Sequence, residues 1–165
     1  MSPFISIIIP FYGTADPVLL QRCLDSIRRQ GMEEGSYEIT VVDDNGKGLG
    51  GARNQGIRQA TGTYLMFVDA DDYLFPNLSY CFPYLLKYTP DVCSFQMCEV
   101  NRPGVIPQSF NYKWEVYESG AEYMSKNNFM GTAWRHFFSR SFLNIHGLAF
   151  AESCFHEDED FVAKA

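Results

Sequence analysis

Acidic residues gather in this sequence where apolar runs end. Asp69-Ala70-Asp71-Asp72 follows Tyr64-Leu65-Met66-Phe67-Val68 directly, and Asp43-Asp44 closes the stretch from Tyr37 to Val42. Carboxylates at the end of a buried strand can hold a hard divalent cation, which in turn holds a diphosphate. From these residues alone, a solvated acidic turn or a helix start that favours negative charge stays equally open. Two acidic strand ends in one sheet, however, make a shared cleft, which a single turn does not. The loop is no EF-hand, since the glycine and the twelfth-position glutamate are missing. A third run, Glu157-Asp158-Glu159-Asp160, can supply a general base toward a hydroxyl if it is held in place. Read alone, it is more simply the acidic first turn of a helix. His156-Glu157 is no zinc motif, because position 160 is Asp rather than His. Gly50-Gly51-Ala52-Arg53-Asn54-Gln55-Gly56 joins glycines to a cation. Glycines at a helix start let backbone approach a phosphate, but the run is neither a dinucleotide fingerprint nor a Walker loop, and a glycine-rich turn explains it more simply.

These residues need a scaffold, and the apolar pattern supplies one. Phe4 to Ile9 is apolar on both faces, as in a central strand of a parallel sheet, with Pro10 expected to end it. Asp16-Pro17 reads as an N-cap with proline in the first turn. Leu20, Cys23, Leu24 and Ile27 follow at helical spacing, and Gly31 closes the helix. Strands over Tyr37 to Val42 and Tyr64 to Val68 flank a short helix through Ala52, Ile57 and Ala60. Strand, helix, strand, helix, strand is the signature of an α/β sheet. Further on, the pattern predicts a helix over Phe75 to Tyr88 that kinks or starts late at Pro83. It predicts strands over Val92 to Cys98 and Thr132 to Phe138, and an alternating edge strand through Tyr112, Trp114 and Val116. Ser119 with Glu122 forms a capping box. A final helix opens near His156, and with only Phe161 and Val162 as apolar anchors its end is expected to fray.

Composition bounds the class. The chain has 165 residues, 46% hydrophobic and 20% charged, which fits one folded domain over residues 1–165. Lys+Arg 13 against Asp+Glu 20 gives a net charge of -7, which argues against binding a nucleic-acid backbone. Five scattered cysteines without a C-x-x-C pair read as buried free thiols in a reducing compartment. No apolar run is long enough to span a membrane.

Taken together, these pieces resemble glycosyltransferase family 2 and its GT-A fold. The resemblance rests on the strand Ile5 to Ile9 with Pro10-Phe11-Tyr12, on Val41-Val42-Asp43-Asp44, on Gly48 to Gly56, and on Gly62 to Asp72. It continues with Trp134 before an aromatic strand and with Glu157-Asp158 followed by Phe161. It implies a Rossmann-like, mixed but mainly parallel sheet flanked by helices. It implies transfer of a sugar, with inversion, from a nucleotide-sugar, UDP-linked by expectation, to an acceptor hydroxyl on a glycan or lipid-linked acceptor. Pro10, Tyr12, Asp44 and Arg53 fall where the family holds uracil and ribose. Asp69 and Asp71 match the D-x-D that binds ribose and a divalent metal, Mn or Mg, and Asp158 falls on the catalytic base. A cytoplasmic protein follows, with peripheral association at the inner membrane face left open.

Two departures are visible. Only Asn45 to Ala52 separates Asp43-Asp44 from Arg53-Asn54, so one usual edge strand and a helix are missing. Gly13 also stands where the family has Asn. The family continues past the base, so a C-terminal truncation, and a chain incomplete for activity, are expected. The alternatives are a non-catalytic nucleotide-sugar-binding module and, behind it, a haloacid-dehalogenase-type phosphatase, in which the Asp-x-Asp strand opens the domain. A response-regulator receiver places its acidic pair after the first strand, whereas here a buried strand precedes it.

Overall fold

Ile5, Ile7, Ile8 and Ile9 are wholly buried, because strand β1 (Ile5–Phe11) lies between two parallel neighbours. The computed structural model describes residues 2–11, 16–44, 46–95, 114–128 and 131–165. Its sheet runs in the order β2-β1-β3-β5-β4, with β2 at Tyr37–Asp43, β3 at Tyr64–Phe67, β4 at Val92–Ser94 and β5 at His136–Ser139. β1 pairs in parallel with β2 and β3, while β5 runs antiparallel to both β3 and β4. The expected mixed, mainly parallel sheet is therefore present. β2 forms one edge of it and β4 the other, and Val41 on β2 is exposed.

Helices cover both faces. Helix α1 (Pro17–Arg28) and α3 (Phe82–Tyr88) bury Cys23, Ile27 and Leu85 against Ile5, Ile7, Ile9, Met66 and Phe137. Helix α2 (Gly48–Gln59), α5 (Arg140–His146) and α6 (Glu157–Lys164) close the opposite face, where Ala52, Leu143, Phe150 and Phe161 meet Ile8, Leu65, Phe67 and Phe138. The period of two along each strand sorts these side chains onto the two layers. Helix α4 (Gly120–Lys126) starts at the predicted Ser119, whose Oγ accepts from Glu122 N at 3.2 Å, while the Glu122 carboxylate accepts from Glu118 N at 2.8 Å instead of closing the box on Ser119.

Several local expectations change. β1 does not stop at Pro10 but continues to Phe11 beside Asp43. Ile8 gives its carbonyl to Val68 N at 3.0 Å, and Pro10, two residues on, faces the same way past the end of β3, where no N–H is needed. The predicted helix from Phe75 starts late. A 3-10 turn over Leu78–Cys81 precedes α3, and Pro83 lies in the first turn of α3, where its missing donor costs nothing. The strand predicted from Thr132 begins only at His136, because Ala133–Arg135 forms a 3-10 turn and Ala133 N donates to Asp158 instead of a ladder partner. Trp114 and Val116 join no strand; the Trp114 ring stacks on Tyr84 at 3.7 Å. Tyr112, Cys98 and the last part of the Val92 to Cys98 strand lie outside the described residues. Cys154 is exposed, unlike the buried thiol expected of it, while Cys23 is buried.

The final helix is better anchored than its sequence indicates. Phe161 is 0% exposed; its ring stacks on Phe150 at 3.8 Å and meets Phe138 edge-on at 5.2 Å. One large ring inside the apolar cluster on that face does what a stripe of smaller residues does elsewhere.

Candidate active site

The acidic strand ends do reach one edge of the sheet. β1 ends at Phe11 beside Asp43 of β2, and Asp69 to Asp72 form a turn just past β3, with Asp72 N bonded to Asp69 O at 3.0 Å. This is the carboxyl edge of the parallel strands, where open α/β sheets bind ligands. Asp44 accepts from Gly46 N at 3.1 Å, which ties down the turn that leads into α2. Pro10 is buried in β1. Tyr12 and Gly13 lie outside the described residues.

Arg53 is the hub of the site. Its side chain is 1% exposed, and three carboxylates from two distant segments converge on its guanidinium. Nη2 donates to Asp69 at 2.9 Å, while Nη1 donates to Glu157 at 3.0 Å and also to Asp158. The second oxygen of Asp158 accepts from Ala133 N at 3.1 Å. Asp69, just past β3, and Asp158 of α6 are therefore joined through one cation. Arg53 does not present its charge on the cleft surface; it sits beneath the carboxylates and fixes them.

The glycine-rich stretch explains how. A Cβ added at Gly50 would stand 2.2 Å from the carbonyl oxygen of Ala151, and one at Gly56 would stand 2.2 Å from Ile8 of β1. The close approach these glycines allow is to the protein's own backbone and core. Asn54 completes the joint: it donates to Phe150 O at 2.9 Å and accepts from Phe150 N at 2.8 Å. Gly50, Arg53 and Asn54 share a face of α2 at helical spacing, and that face grips the segment carrying the C-terminal acids. Sequence reasoning singled out this motif and missed its partner, since contacts across about a hundred residues leave no local signal.

Burial sets the electrostatics. Desolvation raises the Asp69 and Asp158 pKa values; Arg53 opposes this, and the remaining acids add to it. Asp72 is raised too, by burial and then by Asp69 and Asp71, with Arg22 opposing. Arg22 of α1 donates to the Asp71 carbonyl and lies over the Tyr73 ring at 5.0 Å. The acids of this edge outnumber their cations, so the local field favours a further positive charge. Among the described residues no group of metal-ligating side chains holds a cation unaided. Hard oxygen donors in excess of their counter-charges fit Mg or Mn, which commonly take one or two carboxylates and complete their shell with phosphates and water.

Comparison with known proteins agrees with this geometry. A family model described as glycosyl transferase family 2 matches residues 6–47 and 45–144. The break between those segments falls in the short link from β2 to α2. The poly(ribitol-phosphate) beta-glucosyltransferase of Bacillus spizizenii is 36% identical over 97 positions, covering 42% of this chain and 15% of that protein. The uncharacterized glycosyltransferase EpsJ of Bacillus subtilis is 29% identical over 199 positions, covering 98% of this chain and 55% of EpsJ. That alignment is longer than the chain, so EpsJ carries residues that this chain lacks. The chain thus spans about half the length of EpsJ and less of the glucosyltransferase. Among solved structures, S. aureus TarS 1-349 in complex with UDP-GlcNAc superposes with a TM-score of 0.77 at 24% identity, covering 100% of this chain and 53% of that one. The mannosyltransferase PcManGT of Pyrobaculum calidifontis, in complex with GDP-Man and Mn2+, gives 0.64 at 18% identity, covering 96% and 50%.

Proposed function

This chain belongs to glycosyltransferase family 2, and from that premise we propose that residues 1–165 form one GT-A-type domain that transfers a sugar, with inversion, from a UDP-sugar to an acceptor hydroxyl. The observation that carries the reading is the joint at Arg53: a donor-side acid, Asp69, and a candidate base, Asp158, are locked together at the carboxyl edge of the sheet. The UDP-GlcNAc of TarS and the nucleotide and Mn2+ of PcManGT support the donor class and the metal. In this reading Pro10 and Asp44 serve the nucleoside end and Asp69 and Asp71 the diphosphate end, with Tyr12, assigned to the nucleoside from the sequence, outside the described residues.

In the reaction, Asp158 takes the proton of the acceptor hydroxyl as that oxygen attacks the anomeric carbon. The bond from that carbon to the departing UDP breaks on the opposite face, which inverts the centre. Burial favours the neutral form of Asp158 and so makes its anion the stronger base. Ala133 N and Arg53 hold the carboxylate's direction. Asp69 and Asp71 would hold the divalent cation, which when bound supplies positive charge against the leaving diphosphate. The acceptor is a glycan or lipid-linked acceptor, and the site of action is cytoplasmic. No described helix is long and apolar enough to cross a membrane.

Calorimetry with UDP, with and without Mn2+, beside a donor-hydrolysis assay tests the reading. Asp71→Asn is expected to weaken Mn-dependent UDP binding by more than about tenfold, roughly 1.4 kcal/mol. Asp158→Asn is expected to keep UDP affinity and lose turnover. UDP binding without any turnover would instead indicate a non-catalytic nucleotide-sugar-binding module. Absence of UDP binding with phosphatase activity would overturn the family-based mechanism.

A further inference from the structure

We propose that Gly131 is a positioning residue for Asp158: its missing side chain lets the strap of residues 131–133 lie against the first turn of α6, where Ala133 N fixes the second oxygen of the carboxylate. The inference rests on reading Asp158 as the base.

An aspartate carboxylate turns easily about its last torsion, so one contact does not settle which lone pair meets an incoming hydroxyl. A base has to have both its place and its direction set. Asp158 receives a contact on each oxygen. Arg53 of α2 donates to one, and Ala133 N donates to the other at 3.1 Å. The two donors stand on different supports. Arg53 comes from a helix, whereas Ala133 is 0% exposed inside the apolar cluster of that face and leads through the 3-10 turn Ala133–Arg135 into β5. That turn is tied to the sheet, since Arg135 O accepts from Phe95 N at 3.0 Å.

The Ala133 amide reaches α6 because the chain just before it runs close to the helix, and Gly131 marks the approach. A Cβ added at Gly131 would stand 2.6 Å from Glu159 Cα, 2.6 Å from Glu159 Cγ and 2.9 Å from Glu159 Cβ. The Cγ belongs to a flexible side chain, but the Cα is backbone and cannot swing aside. The φ of Gly131 lies outside the left-handed region, so its backbone suits any residue and the glycine answers to space alone. Glu159 follows Asp158 directly in α6, so a push on its Cα carries the base with it.

The test compares the wild-type chain with Gly131→Ala in two measurements. One is amide exchange resolved at Ala133 by nuclear magnetic resonance. The other is hydrolysis of UDP-GlcNAc and of UDP-glucose, in which water stands in for the acceptor. In Gly131→Ala the Ala133 amide is expected to exchange about tenfold or more faster, because its acceptor has been pushed away. The retreat needed is roughly an ångström, and a shift of that size costs about 100-fold in rate. So kcat should fall about 100-fold while the donor KM stays within about threefold, a split that general loosening of the fold would not give. A cooperatively melting Gly131→Ala with wild-type exchange at Ala133, or with wild-type kcat, overturns the proposal. If that variant does not fold, Gly131→Ala/Glu159→Gly, which removes two of the three contacts and keeps the one to Cα, decides by the same criterion. A wild-type chain that hydrolyses neither donor speaks against the proposed function, and exchange at Ala133 still decides whether Gly131 places Asp158.

Discussion

Gly50→Ala separates the stability of this fold from the placement of Asp158. Gly50 lies in the first turn of α2, where alanine is favoured over glycine by at most the about 1 kcal/mol of a helix interior. The added Cβ, however, would stand 2.2 Å from Ala151 O, 3.2 Å from the carbonyl carbon and 3.2 Å from Phe150 Cβ. The obstacle is backbone and cannot swing aside, so Ala151 must retreat by roughly an ångström to reach an ordinary contact. Overpacking of this kind costs about 1–3 kcal/mol. Set against the helix gain, the net loss is roughly 0–3 kcal/mol, and the variant should fold. Its base should not stay in place, because Asn54 ties the displaced segment to α2 through Phe150, and Asp158 follows in the next helix. A misplacement of about 1 Å costs about 100-fold in rate. Turnover is therefore expected to fall about 100-fold while UDP affinity stays near wild type, and hydrogen exchange should rise across residues 150–161 but not in β3. Gly120→Ala is the control: nothing lies within 4 Å of its added Cβ. Wild-type turnover and unchanged exchange in Gly50→Ala would refute the claim that α2 places the base.

Phe161→Ala should cost about 3–5 kcal/mol by urea unfolding, since the ring is fully buried against three other rings, whereas Phe161→Leu should recover much of it. His136 gives an acid-sensitive term. It is buried, its Nδ1 pairs with Ser94 Oγ at 2.8 Å, its Nε2 has no partner among the described residues, and burial pulls its pKa down to about 3. The unfolded imidazole titrates at about 6.5, so the stability is whole above that pH and is lost as pH falls toward 3. Between pH 7.5 and 5.0 the wild type should lose about 2 kcal/mol more than His136→Gln, measured by denaturant unfolding at both pH values. Equal losses would show that the imidazole is protonated or solvated in the folded chain.

Much of this protein is legible in its sequence because the signals are local. The all-apolar run at Ile5 to Ile9 marks a strand covered on both faces, Asp16-Pro17 marks a helix start, and Asp69-Ala70-Asp71-Asp72 marks the acidic end of a strand. The short span between Asp44 and Arg53 likewise indicates that β2 would be the edge of the sheet. The partners of Arg53 were not legible. As a cation beside glycines in a helix start, it reads as a phosphate or nucleoside contact. Only the folded chain brings Glu157 and Asp158 onto it from more than a hundred residues away, buries the cluster, and ties Asp69, Glu157 and Asp158 to one cation. The same holds for Phe161, which looks too little to anchor a helix until Phe150, Phe138 and Phe67 surround it. Periodicity records which side of an element is buried. It does not record which distant residue lies opposite, and that pairing sets burial, charge balance and the direction of a carboxylate.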